Sequence, residues 1–250
     1  MSHQYKQAID VLPQIANVSL PENYTLPVYN ADFIRKELNI FSEWLVDEHL
    51  GLMLSEEENT SMLNCFDVLV QNAIEQPQVV VHRDYHSRNI MVLNDNEDLS
   101  HQENKLGIID FQDAVIGPIT YDIVSLLRDC YIKWPTENVE VLFEYYRQLM
   151  NESHQYADID KAQWSRWFDL MGIQRHIKAS GIFARLFHRD NKEGYLKDIP
   201  LTLSYIVDIS AKYSELSALH NIVLNKVIPS LNSKMQTKAE SKVNTDGVSS

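Results

Sequence analysis

The sequence predicts an α+β fold that is mainly helical, with one small catalytic β-hairpin at its centre. Three observations carry that reading. Most of the chain repeats apolar residues at helical spacing. Three short apolar runs, at 79–81, 90–93 and 106–109, are too short for helices and suit buried strands. Polar residues gather where those runs end: His82, Asp84, His86, Arg88 and Asn89 after the first, Asp110 and Asp113 after the third.

The elements follow in order. Ala8, Ile9, Leu12 and Ile15 mark a helix over 5–15, with Pro13 near its end. Pro21 and Pro27 make 17–29 an extended loop. Asn30 can cap a helix to about residue 50, with Phe33, Ile34, Leu38, Phe41, Trp44 and Leu45 on one face and Gly51 at its stop. Ser55 with Glu58 spells a capping box. The helix behind it carries a stripe of Met62, Leu63, Phe66, Leu69, Val70, Ala73 and Ile74. Pro77 separates that helix from the hairpin. Residues 94–104 form a polar loop between strands; its acidic cluster lacks the turn glycine that a calcium loop needs.

After Asp122 the pattern turns helical through Cys130, and Pro135 stops it. A helix covers 139–150. Asp160 with Gln163 caps a longer one that carries Trp164, Trp167, Phe168 and Met171, and helical periodicity continues over 175–188. Pro200 breaks the chain before a helix over 201–227, which Pro229 ends. Residues 233–250, rich in Ser, Lys, Thr and Asn without apolar period, predict a disordered tail behind one domain over 1–232.

Composition narrows the function. A net charge of −13 argues against nucleic acid and anionic membranes as partners. Cys65 and Cys130 sit in apolar helical patterns and read as reduced core residues. With no signal-peptide stretch and no 18-residue apolar run, this points to the cytoplasm. Nothing in the sequence speaks to oligomeric state.

The strand-end residues fit phosphoryl transfer, which needs a carboxylate to take the acceptor's hydroxyl proton and oxygen ligands for Mg²⁺ on the nucleotide phosphates. Asp84 suits the base, and Asn89 and Asp110 suit the metal. His82 fits a structural role in the loop. His82, His86 and Asp84 lack the third nitrogen or sulfur ligand of a zinc site.

The motifs His82-x-Asp84-x-x-x-x-Asn89, Ile109-Asp110-Phe111, Gly117-Pro118 and Asp122 resemble the aminoglycoside-phosphotransferase and choline-kinase superfamily. The wording HRDYHSRN, GIIDFQDAVIGPITYD, SLLRDCYI, GIQRHIKASGIFARL and YLKDIP is similar to its cell-wall-sugar kinases, which act on the anomeric hydroxyl of N-acetylmuramate and N-acetylglucosamine. The resemblance runs over about 5–228.

It implies a protein-kinase-like C-terminal lobe, with ATP as donor, Mg²⁺ as cofactor, an amino sugar as acceptor and a place in peptidoglycan recycling. It also implies that Asp122 braces the catalytic loop through backbone N–H groups, with His82 and His86 as further loop support. The chain has seven glycines, the first at Gly51, and neither a G-x-G-x-x-G loop nor a Walker loop. Asp84 comes too early for a full β-lobe, so the N-terminal β-lobe is expected to be missing, and the nucleotide-binding glycine loop and lysine with it.

Asp110 and Asp122 stand 12 positions apart, too close for a protein-kinase activation segment, and His86 occupies the place of that family's lysine. Both point to a small-molecule acceptor. Arg175, His176 and Arg185 read either as an acceptor pocket for a muramate carboxylate or as a basic helix face. Trp164 and Trp167 could stack on a sugar, although their spacing fits a core. An aminoglycoside- or choline-type kinase is the second reading, and an inactive truncated fragment or binding module lacking the ATP lobe is the third.

Overall fold

A computed structural model describes residues 3–93, 105–152 and 155–246. Its chain packs as two compact units, Met1–Phe33 with Gln71–Gly172 and Ile34–Val70 with Ile173–Ser250.

In the first unit, α1 (His3–Ala16) buries Ala8, Ile9 and Leu12 at helical spacing. Ile9 and Leu12, so removed from water, each contribute about 2 kcal/mol. Four short strands follow: β1 (Gln78–Val81), β2 (Ile90–Leu93), β3 (Lys105–Ile108) and β4 (Val115–Pro118). They make two antiparallel ladders instead of one hairpin. β1 pairs with β4 in a register that sets Val81 opposite Val115. β2 pairs with β3, Ile90 opposite Ile108.

The β2–β3 hairpin is the one the sequence predicts. β4, which includes Gly117 and Pro118, was not among the strands expected from the sequence. Its far edge is covered by residues 27–29: Tyr29 N–H donates to the Ile116 carbonyl at 2.8 Å, and Ile116 N–H to that of Pro27 at 2.9 Å. Pro118 stands at the strand's end, where its missing N–H costs least.

Burial corrects a second expectation. Val81 and Val115 are enclosed, whereas Met91, Val92 and Leu93 are each about half exposed. The apolar run 90–93 is therefore an open strand and not a buried one. α4 (Tyr121–Leu127), α5 (Thr136–Met150) and the start of α6 (Lys161–Asp190) complete the unit. Asp160 caps α6 through Gln163 N–H at 2.7 Å. Trp164 and Trp167 are core residues, 0% and 5% exposed.

In the second unit, α2 (Ala31–Ile40) continues as a π-helical stretch, Phe41–His49. Gly51, at φ +64, ends it in the left-handed conformation that glycine reaches without strain. Gly181 on α6 leaves room for the Ile40 backbone, which an added Cβ would meet at 2.6 Å. Glu37 is buried between Lys178, at 2.8 Å, and Gln174, at 3.1 Å. α3 (Glu56–Ile74) starts at the capping box: Glu58 N–H donates to Ser55 Oγ at 3.2 Å and Ser55 N–H to Glu58 Oε2 at 2.8 Å.

The expected helix over 201–227 is broken. α7 (Ile199–Ser210) ends early, and α8 (Ser217–Ile222) starts anew. Pro229 does not end the helical run. A π-helical turn at Val223–Val227 precedes it, and α9 (Ile228–Asp246) carries it in its first turn. There its lost hydrogen bond is absorbed by the wider register. α9 also crosses most of the expected disordered tail. Helix extension from a packed start needs no new nucleus, and Lys, Gln, Ala and Glu favour it. Residues 247–250 of that tail, and the polar loop 94–104, lie outside the described residues. Among the described residues no helix is long and apolar enough to cross a membrane.

Candidate active site

The site lies in the first unit, where β1 ends and β2 and β3 meet. Residues 82–89 run from β1 into β2, closing in a 3₁₀ turn at Ser87–Asn89. Two buried aspartates hold that loop from below. Asp122, in the first turn of α4, accepts the N–H of His82 at 2.7 Å and of Arg83 at 2.9 Å. Asp129, just past the other end of α4 and 1% exposed, accepts Ser87 N–H at 3.2 Å and Ser87 O–H at 2.5 Å. Its other oxygen takes Tyr131 N–H at 3.1 Å. Tyr85, fully buried, donates its O–H to the Ala8 carbonyl of α1 at 2.7 Å. Burial and the nearby Asp122 charge push that phenol well above its ordinary range.

Arg83 adopts φ +76 and Asp110 φ +70. Left-handed backbone at residues other than glycine costs of order 1 kcal/mol, and it persists where surrounding bonds overdetermine it. For Arg83 those bonds are the Asp122 carboxylate and the Phe33 ring, which its guanidinium faces at 4.9 Å.

On the upper side of the loop, the Asn89 amide donates to the Asp84 backbone carbonyl at 3.0 Å and to Asp110 Oδ2 at 3.4 Å. Ile109 N–H returns to the Asn89 carbonyl at 3.1 Å, fixing the two strand ends together. The Asp84 and Asp110 charges both act on the His82 imidazole. The structure therefore sets the Asn89 side chain between the Asp84 backbone and the Asp110 carboxylate.

His82 itself is 4% exposed and edge-on to Tyr85. Burial lowers its pKa against the pull of both carboxylates, which keeps the ring neutral at neutral pH. His86 packs its ring against Tyr131 at 5.9 Å, and its carbonyl accepts Asn89 N–H at 2.9 Å.

The run 106–109 was expected to be buried, yet Asp110 behind it is exposed, as are Ile109 at 49% and Phe111 at 71%. The Asp110 carboxylate accepts the Asn89 amide N–H at 3.4 Å. Asn89 spends its amide N–H groups on Asp84 and Asp110, leaving its carbonyl oxygen for a further partner. One carboxylate and one amide oxygen on adjacent strand ends are hard donors. They suit Mg²⁺, which takes few protein ligands and fills its shell with water and phosphate oxygens. Among the described residues no group of three or more His, Cys, Asp or Glu is placed to hold a metal ion.

The model of the phosphotransferase enzyme family matches residues 2–168, which include all of these residues. The chain belongs to that family. Relatives within it are named N-acetylmuramate/N-acetylglucosamine kinase. The protein of Pseudomonas putida is 36% identical over 219 residues, covering 88% of this chain and 61% of the relative. That of Neisseria meningitidis is 38% identical over 205 residues, covering 81% and 58%. The chain thus spans about three fifths of the length of these relatives. In fold it is similar to a Plasmodium vivax ethanolamine kinase, with a TM-score of 0.60 at 16% identity over 84% of this chain and 61% of that one.

The remaining candidates lie on the part of α6 that belongs to the second unit. His176 is 1% exposed and stacked on Tyr205 at 4.4 Å, a packing role. Arg175 and Arg185 are half-buried. Sequence reasoning passed over Asp129, whose clamp on Ser87 matches that of Asp122 on His82. The available signal was an aspartate two residues after the mainly apolar run 123–127.

Proposed function

We propose that this chain carries the catalytic centre of an ATP-dependent kinase for an amino sugar of the N-acetylmuramate/N-acetylglucosamine class. We further propose that it acts on the anomeric hydroxyl in cytoplasmic peptidoglycan recycling. The observation that supports phosphoryl transfer is the meeting of Asn89 and Asp110 over the Asp84 carbonyl, on a loop whose backbone two buried carboxylates hold. The sugar class rests on the names of the two relatives at 36% and 38% identity.

In this reading Asp84 accepts the proton of the acceptor hydroxyl as its oxygen bonds to the γ-phosphorus. The bond from that phosphorus to the bridging oxygen breaks, and ADP leaves. Asn89 and Asp110 hold Mg²⁺, which when bound neutralises charge on the phosphates. His82, buried against Tyr85, keeps the loop shape. Asp122 and Asp129 position the loop.

The test is sugar-dependent formation of ADP and sugar phosphate from ATP by the purified chain. Asp84→Asn keeps the shape and removes the base, and it should lower turnover roughly a thousandfold, within the range typical of general-base loss. Absence of sugar-dependent turnover, or turnover that survives Asp84→Asn, would end the reading.

A further inference from the structure

We infer that Arg88 is the specificity residue for acceptor charge, binding the carboxylate of an anionic sugar such as N-acetylmuramate. This deepens the proposed function and rests on it.

The 3₁₀ turn at Ser87–Asn89 has about three residues per turn, so its side chains diverge in three directions. Ser87 turns inward to Asp129. Asn89 turns toward Asp84 and Asp110. Arg88 takes the third direction, out of the loop and over the Tyr131 ring, its guanidinium carbon 3.3 Å from the ring centre. It is exposed, and no carboxylate pairs with it among the described residues. That is notable in a chain with 35 acidic and 22 basic residues, where Arg35, Arg147 and Arg189 all find carboxylates.

The ring under Arg88 is itself fixed. The Asp129 carboxylate joins Tyr131 N–H to Ser87 N–H and O–H, so platform and loop hang from one buried group. His86 packs against the same ring. Stacking holds the guanidinium plane flat and leaves its edge N–H groups outward, the geometry in which arginine takes a carboxylate with two parallel bonds. Arg88 therefore offers a preorganised anion site four residues past the proposed base, on the side of the turn that Asn89 does not use for metal. An acceptor with its hydroxyl at Asp84 can place a carboxylate there. N-acetylmuramate carries one on its lactyl group, and N-acetylglucosamine carries none.

The experiment is titration calorimetry of the full chain with each sugar, without nucleotide, for wild type, Arg88→Gln and Arg88→Lys, with a thermal melt of each as a folding control. The wild type should bind N-acetylmuramate more tightly than N-acetylglucosamine. Arg88→Gln should lower the ratio of the two affinities roughly tenfold, and Arg88→Lys should restore part of it because charge returns without the planar fork. The wild-type preference should also weaken with added salt.

If both sugars bind and Arg88→Gln leaves their ratio unchanged, or weakens both alike, this inference falls while the amino-sugar reading stands. If neither sugar binds the wild type, the acceptor class itself is wrong and the inference goes with it.

Discussion

Two pairs of aspartates meet at the same loop from opposite sides and live under opposite conditions. Asp122 and Asp129 flank α4, are 6% and 1% exposed, and spend their oxygens on N–H and O–H groups of the loop. Asp84 and Asp110 sit at strand ends, one half-buried and one exposed, next to an amide that leaves an oxygen unspent. The lower pair is bound up in structure; the upper pair is the one to which the proposed function gives the chemistry. The contrast teaches that environment, and not residue type, divides the labour. It also predicts that stability and activity separate cleanly between the pairs.

The largest separation should come from comparing Asp84→Asn with Asp122→Ala. The former should leave the melting temperature within about 2 °C of wild type while removing turnover, since it breaks no buried bond. Asp122→Ala strands two N–H groups, His82 and Arg83, in a dry setting, at a cost of about 3 kcal/mol and roughly 10 °C in melting temperature. A thermal melt of both variants decides it. Equal destabilisation would erase the distinction.

The same logic extends to the two ladders. Val115→Ala on buried β4 should cost about 2 kcal/mol in urea unfolding, through lost transfer energy and a cavity. Val92→Ala on open β2 should stay within about 0.5 kcal/mol. A large effect at Val92 would show that the hairpin face is covered in solution.

The smallest effect concerns a carboxylate with neither role. Glu144 on α5 is held down to about 2 by its hydrogen bonds with Arg147, aided by Gln148 and Lys161. Because the folded pKa lies below the unfolded value of about 4.5, this contribution is fully present above pH 4.5 and fades as pH falls toward 2. The group is partly solvated, so screening keeps the effect under about 1 kcal/mol. Melting curves of wild type and Glu144→Gln should differ slightly at pH 6 and coincide near pH 2.

Much of this site was legible beforehand because its signals are local. The spacing of Asp84 and Asn89 and the placement of Asp110 at a strand end put the three residues beside one end of a hairpin, and the β2–β3 register brings Asn89 and Asp110 together. The caps at Asn30, Ser55 and Asp160 were readable for the same reason: each needs only a partner three residues away. β4 escaped notice because four residues that include Gly117 and Pro118 carry no pattern of their own. They become a strand only when β1 and residues 27–29 supply hydrogen bonds on either side. Asp129 escaped because its partner Ser87 lies 42 positions away.

What the sequence determined by itself was where helices begin, which polar residues stand at the strand ends, and the family to which those motifs point. These depend on bonds between near neighbours and on periodicity along one chain. Tertiary structure alone decided which apolar runs are covered, which aspartates are committed to the backbone, and where Arg88 rests. Burial is set by whatever packs on top, and a run such as Ile90–Leu93 reads the same whether its face is sealed or left to water.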